Sequence, residues 1–218
     1  MSFNLFRLFC YLGMGLIALG IVYSASYYRG KQGEKFSILN HFISELGEVG
    51  INSAAWAFNL SLILGGLITI PFVVGLGIKF NSVLGWLGMA AGLTTTFGVT
   101  AVGLFPMNNM GPHVKAAQTY FRAGLVMVLL FGLAILFQPA GNNGIRQIAN
   151  LLSLLAFAAY AAFLLLVKPR KPDGGSVSSN PLDPTEKPER PRVWLFPILE
   201  WGVFFATLVW LFGMAFFI

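Results

Sequence analysis

The chain is poor in ionisable side chains. Only 10% of its 218 residues are Asp, Glu, Lys or Arg, and the mean hydropathy is +0.75. A soluble domain carries about 25% charged residues, so a water-soluble fold of this length is excluded. Cysteine is almost absent. Cys10 alone allows neither an intrachain disulfide nor a cysteine cluster for zinc. Histidine is scarce too. His41 and Glu45, at i and i+4, can share one helix face and hold a metal, but a catalytic zinc site needs a third ligand and His113 is the only other histidine. No metal site and no cofactor is therefore expected. Phosphate-loop and nucleic-acid signatures are missing, and the net charge of +6 is read as loops lying near anionic headgroups.

Long apolar runs fill the rest. They cover Phe3–Tyr27, Ala55–Ile78, Val83–Phe105, Ala116–Phe137, Ile148–Val167 and Trp194–Ile218. About 20 apolar residues in a helix cross the hydrocarbon core. A barrel needs alternating segments of about 10 residues, and these runs are continuous. The expected fold is an all-α, polytopic membrane bundle of six transmembrane helices in one domain, 1–218. The first run, with Arg7 ahead of it and Ser24-Ala25-Ser26 behind, loosely mimics a signal peptide and is read as a retained span. Frequent glycines inside the spans are read as packing positions.

Parity puts the 1–2, 3–4 and 5–6 connections on one face, called face B. The termini and the other connections share face A. The 5–6 connection, 168–193, is rich in Pro, Gly, Ser and charge and reads as a flexible linker. The 1–2 connection differs. Phe36, Leu39, Phe42, Ile43 and Leu46 form an apolar stripe at helical spacing, while Ser37, Asn40, His41, Ser44, Glu45 and Glu48 form a polar one. The spacing predicts an amphipathic interfacial helix over 36–46, with Gly47 placed to stop it. Asn52 or Ser53 is expected to cap the second span. Face B also holds most basic residues outside the spans, while face A holds Arg7, Lys79 and Arg146. By the positive-inside rule face B is then cytoplasmic.

Two charges fall inside spans near face B. Arg122 and Glu200 each lie about 9 Å deep at a rise of about 1.5 Å per residue. An unpaired charge there is costly, so equal depth and opposite sign predict an ion pair or a shared polar cavity. Tyr23, Ser24, Asn59, Thr100, His113 and Gln118 gather in the same half. The half near face A has no carboxylate, so a polar pocket open to face B is expected. A Ser–His–acid arrangement would have to use Ser37 or Ser44 with His41 and Glu45 or Glu200, and no motif supports it. Inverted repeats and paired broken helices, the marks of a transporter, are absent.

Two segments carry a resemblance. Asn40-His-Phe-Ile-Ser-Glu-Leu-Gly47 resembles the "ISELG" element of the family catalogued as domain of unknown function 998. Gly103-Leu-Phe-Pro106 followed by His113 is similar to that family's second mark, and the six-span layout agrees. Glu200 matches a Glu near the start of the family's last span. Where an Arg often follows, this chain has Trp201. The marks also look distantly similar to DRAM-type and GPI-anchor remodelling membrane proteins. The resemblance implies a shared site containing Ser44, Glu45, Gly47, Pro106 and His113. It usually draws the "ISELG" loop outside, against the charge reading.

The expected site therefore comprises His41, Ser44, Glu45, His113, Gln118, Arg122 and Glu200, with Gly47 and Pro106 in structural roles. Its expected partners are membrane lipids, with a headgroup phosphate on Arg122. The alternative is a structural or regulatory subunit beside other membrane proteins. A bacterial plasma membrane is the expected location.

Overall fold

Inside a bilayer every backbone N–H and C=O must find a partner within the chain, so apolar runs of this length form helices. The structure, a computed structural model, describes residues 3–138, 143–166 and 190–217. Its helices are α1 (Phe3–Tyr27), α2 (Ala55–Phe80), α3 (Val83–Leu104), α4 (Met110–Leu136), α5 (Asn143–Leu166) and α6 (Leu195–Phe217). All six contain a segment long and apolar enough to cross a membrane. The protein is an integral, multi-pass membrane protein. Two helices start earlier than hydropathy suggests. α4 begins at Met110 rather than Ala116, which brings His113 into its first turn, and α5 begins at Asn143.

Each helix packs on its successor, and α6 returns to α1. Lipid gives helices no hydrophobic reason to associate, so close backbone approach matters. It is visible where α1 crosses α2. A Cβ on Gly13 would stand 2.8 Å from the Gly65 carbonyl, and one on Gly65 would stand 2.7 Å from the Gly13 carbonyl. Likewise a Cβ on Gly98 of α3 would come within 2.8 Å of the Tyr120 backbone nitrogen in α4. On the other side α5 is fastened to α6 by side chains. Trp210 Nε1 donates to Ser153 Oγ at 2.9 Å, and the Thr207 and Tyr160 hydroxyls share a hydrogen bond of 2.9 Å.

The 1–2 connection does not form the expected three-turn helix. It turns through residues 38–41 and then makes one short 3-10 helix, Ile43–Gly47. The two expected stripes are also not sorted by polarity. Leu39 is 47% exposed, whereas His41, Ser44 and Glu45 are 2%, 8% and 6% exposed. The reason is that these polar groups find partners inside the protein, as set out below. Gly47 has no left-handed backbone, unlike Gly33 and Gly50, and so does not act as a helix stop. It is a close-approach position. Its carbonyl accepts from Asn59 Nδ2 at 3.0 Å, and a Cβ there would come 2.8 Å from the Phe58 ring. The linker read over 168–193 lies outside the described residues, apart from 190–193.

Candidate functional site

Three connections meet at one end of the bundle and interlock there, as parity requires. The Asn108 amide pairs with the Val49 backbone in both directions, Val49 N donating to Oδ1 at 2.8 Å and Nδ2 donating to the Val49 carbonyl at 2.8 Å. Asn40 Nδ2 donates to the Pro191 carbonyl at 3.1 Å, and Trp194 N donates to the Leu39 carbonyl at 2.8 Å. Trp201 Nε1 donates to the His41 carbonyl at 3.1 Å. Where the family resemblance leads one to look for an arginine, this chain therefore uses an indole as a strut.

Glu45 is the centre of this lid. Its carboxylate accepts from the Phe42 backbone N–H at 2.9 Å and from the Tyr28 hydroxyl at 3.3 Å. Arg190 grips both of its oxygens, at 2.8 and 2.9 Å, and also donates to the Asn40 carbonyl at 2.7 Å. A buried carboxylate needs a partner of this kind, and a forked pair is the strongest form. The hydrogen bonds that Arg190 donates to Glu45 in turn raise the Arg190 pKa. Sequence reasoning missed Arg190, because it stands in a basic, proline-rich stretch that reads as linker. Neither Asn52 nor Ser53 is the N-cap of α2, which is Ala54 with no side-chain cap bond, and Asn52 has a different role. Its Nδ2 donates to the Ser24 hydroxyl and the Leu46 carbonyl, both at 2.8 Å, and to the Ser24 carbonyl at 3.2 Å. Its Oδ1 accepts from Ala54 N at 3.1 Å. It joins α1, the 3-10 turn and the start of α2.

His41 sits in an aromatic pocket, its ring 5.3 Å from Tyr28 and 5.2 Å from Phe36. Nδ1 faces Ser37, and Nε2 lies 3.8 Å from Glu34 Oε1. Burial holds the imidazole below its ordinary pKa of 6.5 and the Arg190 charge adds to this, while Glu45, the Ser37 backbone and Glu34 oppose it. The unfolded chain then takes up the proton first as pH falls. The lid contribution is complete above about pH 6.5 and is lost as pH drops from there toward the folded pKa. Melting in detergent at a series of pH values should show this loss, and His41→Asn should flatten that part of the profile. A histidine slope unchanged in the variant would contradict the assignment.

Beneath the lid lies an elongated cavity with about 100 Å³ open to the centre of a water-sized sphere. It is walled by α1, α2, α3, α4 and α6 and roofed by Ile43 and Ser44 of the 3-10 turn. From Phe58 to Val73 the lining runs about 22 Å along α2 at a rise of about 1.5 Å per residue. Most of the wall is Ile, Leu, Val, Met, Phe and Thr. Ser44, His113 and Glu200 supply polar groups at the lid end, with Tyr120 and Thr207 further along. Glu200 Oε2 accepts from the Ile43 backbone N–H at 2.7 Å. His113 Nδ1 stands 2.7 Å from the Phe105 carbonyl, at the point where Pro106 takes the chain out of α3. The Ser44 hydroxyl donates to Met107 Sδ at 3.3 Å.

Of the seven expected site residues, Ser44, His113 and Glu200 line one cavity. His41 and Glu45 belong to the lid beside it. Gln118 is half-buried and does not line the cavity. Arg122 is a correction. It lies on the exposed side of α4 and makes no ion pair with Glu200. Phe121 and Gly124 take the inward positions, and the long Arg stem can carry its charge toward the interface. Depth was legible in the sequence, but the side of the helix was not. Among the described residues no three His, Cys, Asp or Glu side chains come together as a metal ligand set. Neither candidate serine hydroxyl bonds the His41 imidazole among the described residues: the Ser44 hydroxyl donates to Met107 Sδ, and His41 Nδ1 faces the Ser37 backbone.

A family model described as "Protein of unknown function (DUF998)" matches residues 16–217. No curated protein and no solved structure matches the chain. A similarity to DRAM-type and GPI-anchor remodelling proteins is not shown by these comparisons. The chain belongs to the DUF998 family.

Proposed function

We propose that this DUF998-family membrane protein is a lipid-handling protein that takes one hydrocarbon chain of a lipid into its bundle and holds the lipid's polar end beneath the lid. One observation carries the reading. The cavity is a long, mostly apolar conduit with its imidazole and carboxyl at one end, while the threonine hydroxyls along its wall bond carbonyls of their own helices, and that is the shape and polarity of a single-chain amphiphile. A few placed polar groups in an apolar wall are the usual form of a small-ligand site. The headgroup chemistry first expected, a phosphate on Arg122, is withdrawn, because Arg122 faces away from the cavity.

Mass spectrometry of lipid retained by the purified protein tests the proposal. Val99 lines the middle of the conduit, away from its polar end. Val99→Phe fills that space without touching Glu200 or His113. Retained lipid is expected to fall by about tenfold, the effect of about 1.4 kcal/mol of lost contact, while the protein melts near the wild-type temperature. Equal retention by wild type and variant contradicts the reading. So does a wild-type protein that carries no lipid and is isolated only with a second membrane protein. That result favours the complex-subunit reading instead.

A further inference from the structure

We infer that the head group taken at the lid end is a hydrogen-bond donor, a primary ammonium on a single chain, and not a phosphate or a carboxylate. The inference rests on the reading that the cavity holds one hydrocarbon chain, and it specifies the chemistry at that chain's polar end.

Each polar group at the lid end presents an acceptor. The Phe105 carbonyl can only accept, so the bond at 2.7 Å requires the proton on His113 Nδ1. In the neutral ring Nε2 is then left as an acceptor. Ser44 has its hydroxyl hydrogen directed to Met107 Sδ, which leaves the oxygen lone pairs. Glu200 has Oε2 engaged by the Ile43 N–H, and among the described residues Oε1 has no hydrogen-bond partner. Among the described residues no Lys or Arg lines the cavity. The Arg190 guanidinium is committed to Glu45 and the Asn40 carbonyl in the lid.

Without a countercharge a buried carboxyl favours its protonated form, and buried charges are normally paired. An ammonium meets this site in kind. It carries three donors and no acceptor, and it supplies the positive charge beside which Glu200 can ionise. A phosphate or carboxylate would place acceptors against those of Ser44 and His113 and bring a negative charge with no cation lining the cavity among the described residues to meet it. An alcohol offers one donor and no charge.

The test uses wild type and Glu200→Gln in nanodiscs of phosphatidylcholine. Each is titrated with hexadecylamine, hexadecanol, palmitate and hexadecyl phosphate, and bound amphiphile is counted by native mass spectrometry. Gln retains an acceptor for the Ile43 N–H but loses the charge. Hydrogen bonds to charged groups lead us to expect the amine to bind wild type about tenfold or more tighter than the alcohol, with both anions weaker than the alcohol. In Glu200→Gln the preference for the amine should vanish while hexadecanol binding stays within about threefold, which also shows that the variant is folded. Amphiphiles that bind without discrimination, anions that bind as tightly as the amine, or an amine preference that survives in Glu200→Gln each overturn the inference and leave the single-chain reading standing. Failure of all four to bind overturns both.

Discussion

Glu45→Ala is expected to destabilise the protein by about 3 kcal/mol, the lower end of the cost of breaking a buried pair by removing one partner. The Glu45 side chain is 7% exposed and that of Arg190 is 33% exposed, so the pair is screened only from one side. The substitution also strips the acceptor from the Tyr28 hydroxyl and from the Phe42 N–H. Arg190→Ala should cost less, about 2 kcal/mol, because Glu45 keeps those two donors. The double variant should recover part of the summed loss, by about 1–2 kcal/mol of coupling. Unfolding in mixed micelles gives all three values. Strict additivity would mean that the start of α6 is not held to the lid through this pair.

Asn52→Leu should cost about 3 kcal/mol, because the Ser24 carbonyl and the Ala54 N–H lose their partner at once and each buried group is worth about 1–3 kcal/mol when left unsatisfied. The Leu46 carbonyl and the Ser24 hydroxyl each lose one bond but keep each other at 3.1 Å, and Asn52 itself is 3% exposed. An amide has two N–H groups, so one of the three acceptors shares a donor. Asn52→Asp discriminates between two causes. It keeps the size of the side chain and the acceptor for Ala54 but removes both donors. It should be about as damaging as leucine if the donors carry the effect. A mild aspartate variant would mean that shape, not hydrogen bonding, is what this position supplies.

The spans were legible because hydropathy over about 20 residues is an average that few substitutions disturb. The polar lid end was legible for a related reason. Ser44 and His113 come from the connections on face B and from the family resemblance. Glu200 is placed near that face by counting residues inward from its connection, since depth follows from helical rise alone. Azimuth does not. Arg122 and Glu200 were paired on depth and sign, yet α4 turns Phe121 inward and Arg122 outward. The 36–46 stretch failed for a different reason. Its apolar spacing is helical, but local pattern competes with tertiary hydrogen bonds. Glu45 finds its charge partner 145 positions later in the chain, and Trp201 reaches the His41 carbonyl across 160. Asn52 could be seen as polar near a helix start, and so as a cap. Nothing local announces that its amide would instead bind α1.

The account's central claim is that a single chain occupies the bundle with its polar end under the lid. Experimental density for the protein, purified from membranes in a mild detergent whose own chain can be told apart by its head, tests it most directly. We expect continuous tubular density along α2 from the level of Val73 to that of Phe58, ending in a head between Ser44, His113 and Glu200. A conduit closed by inward-packed side chains, or filled only by separate water peaks, would contradict the claim.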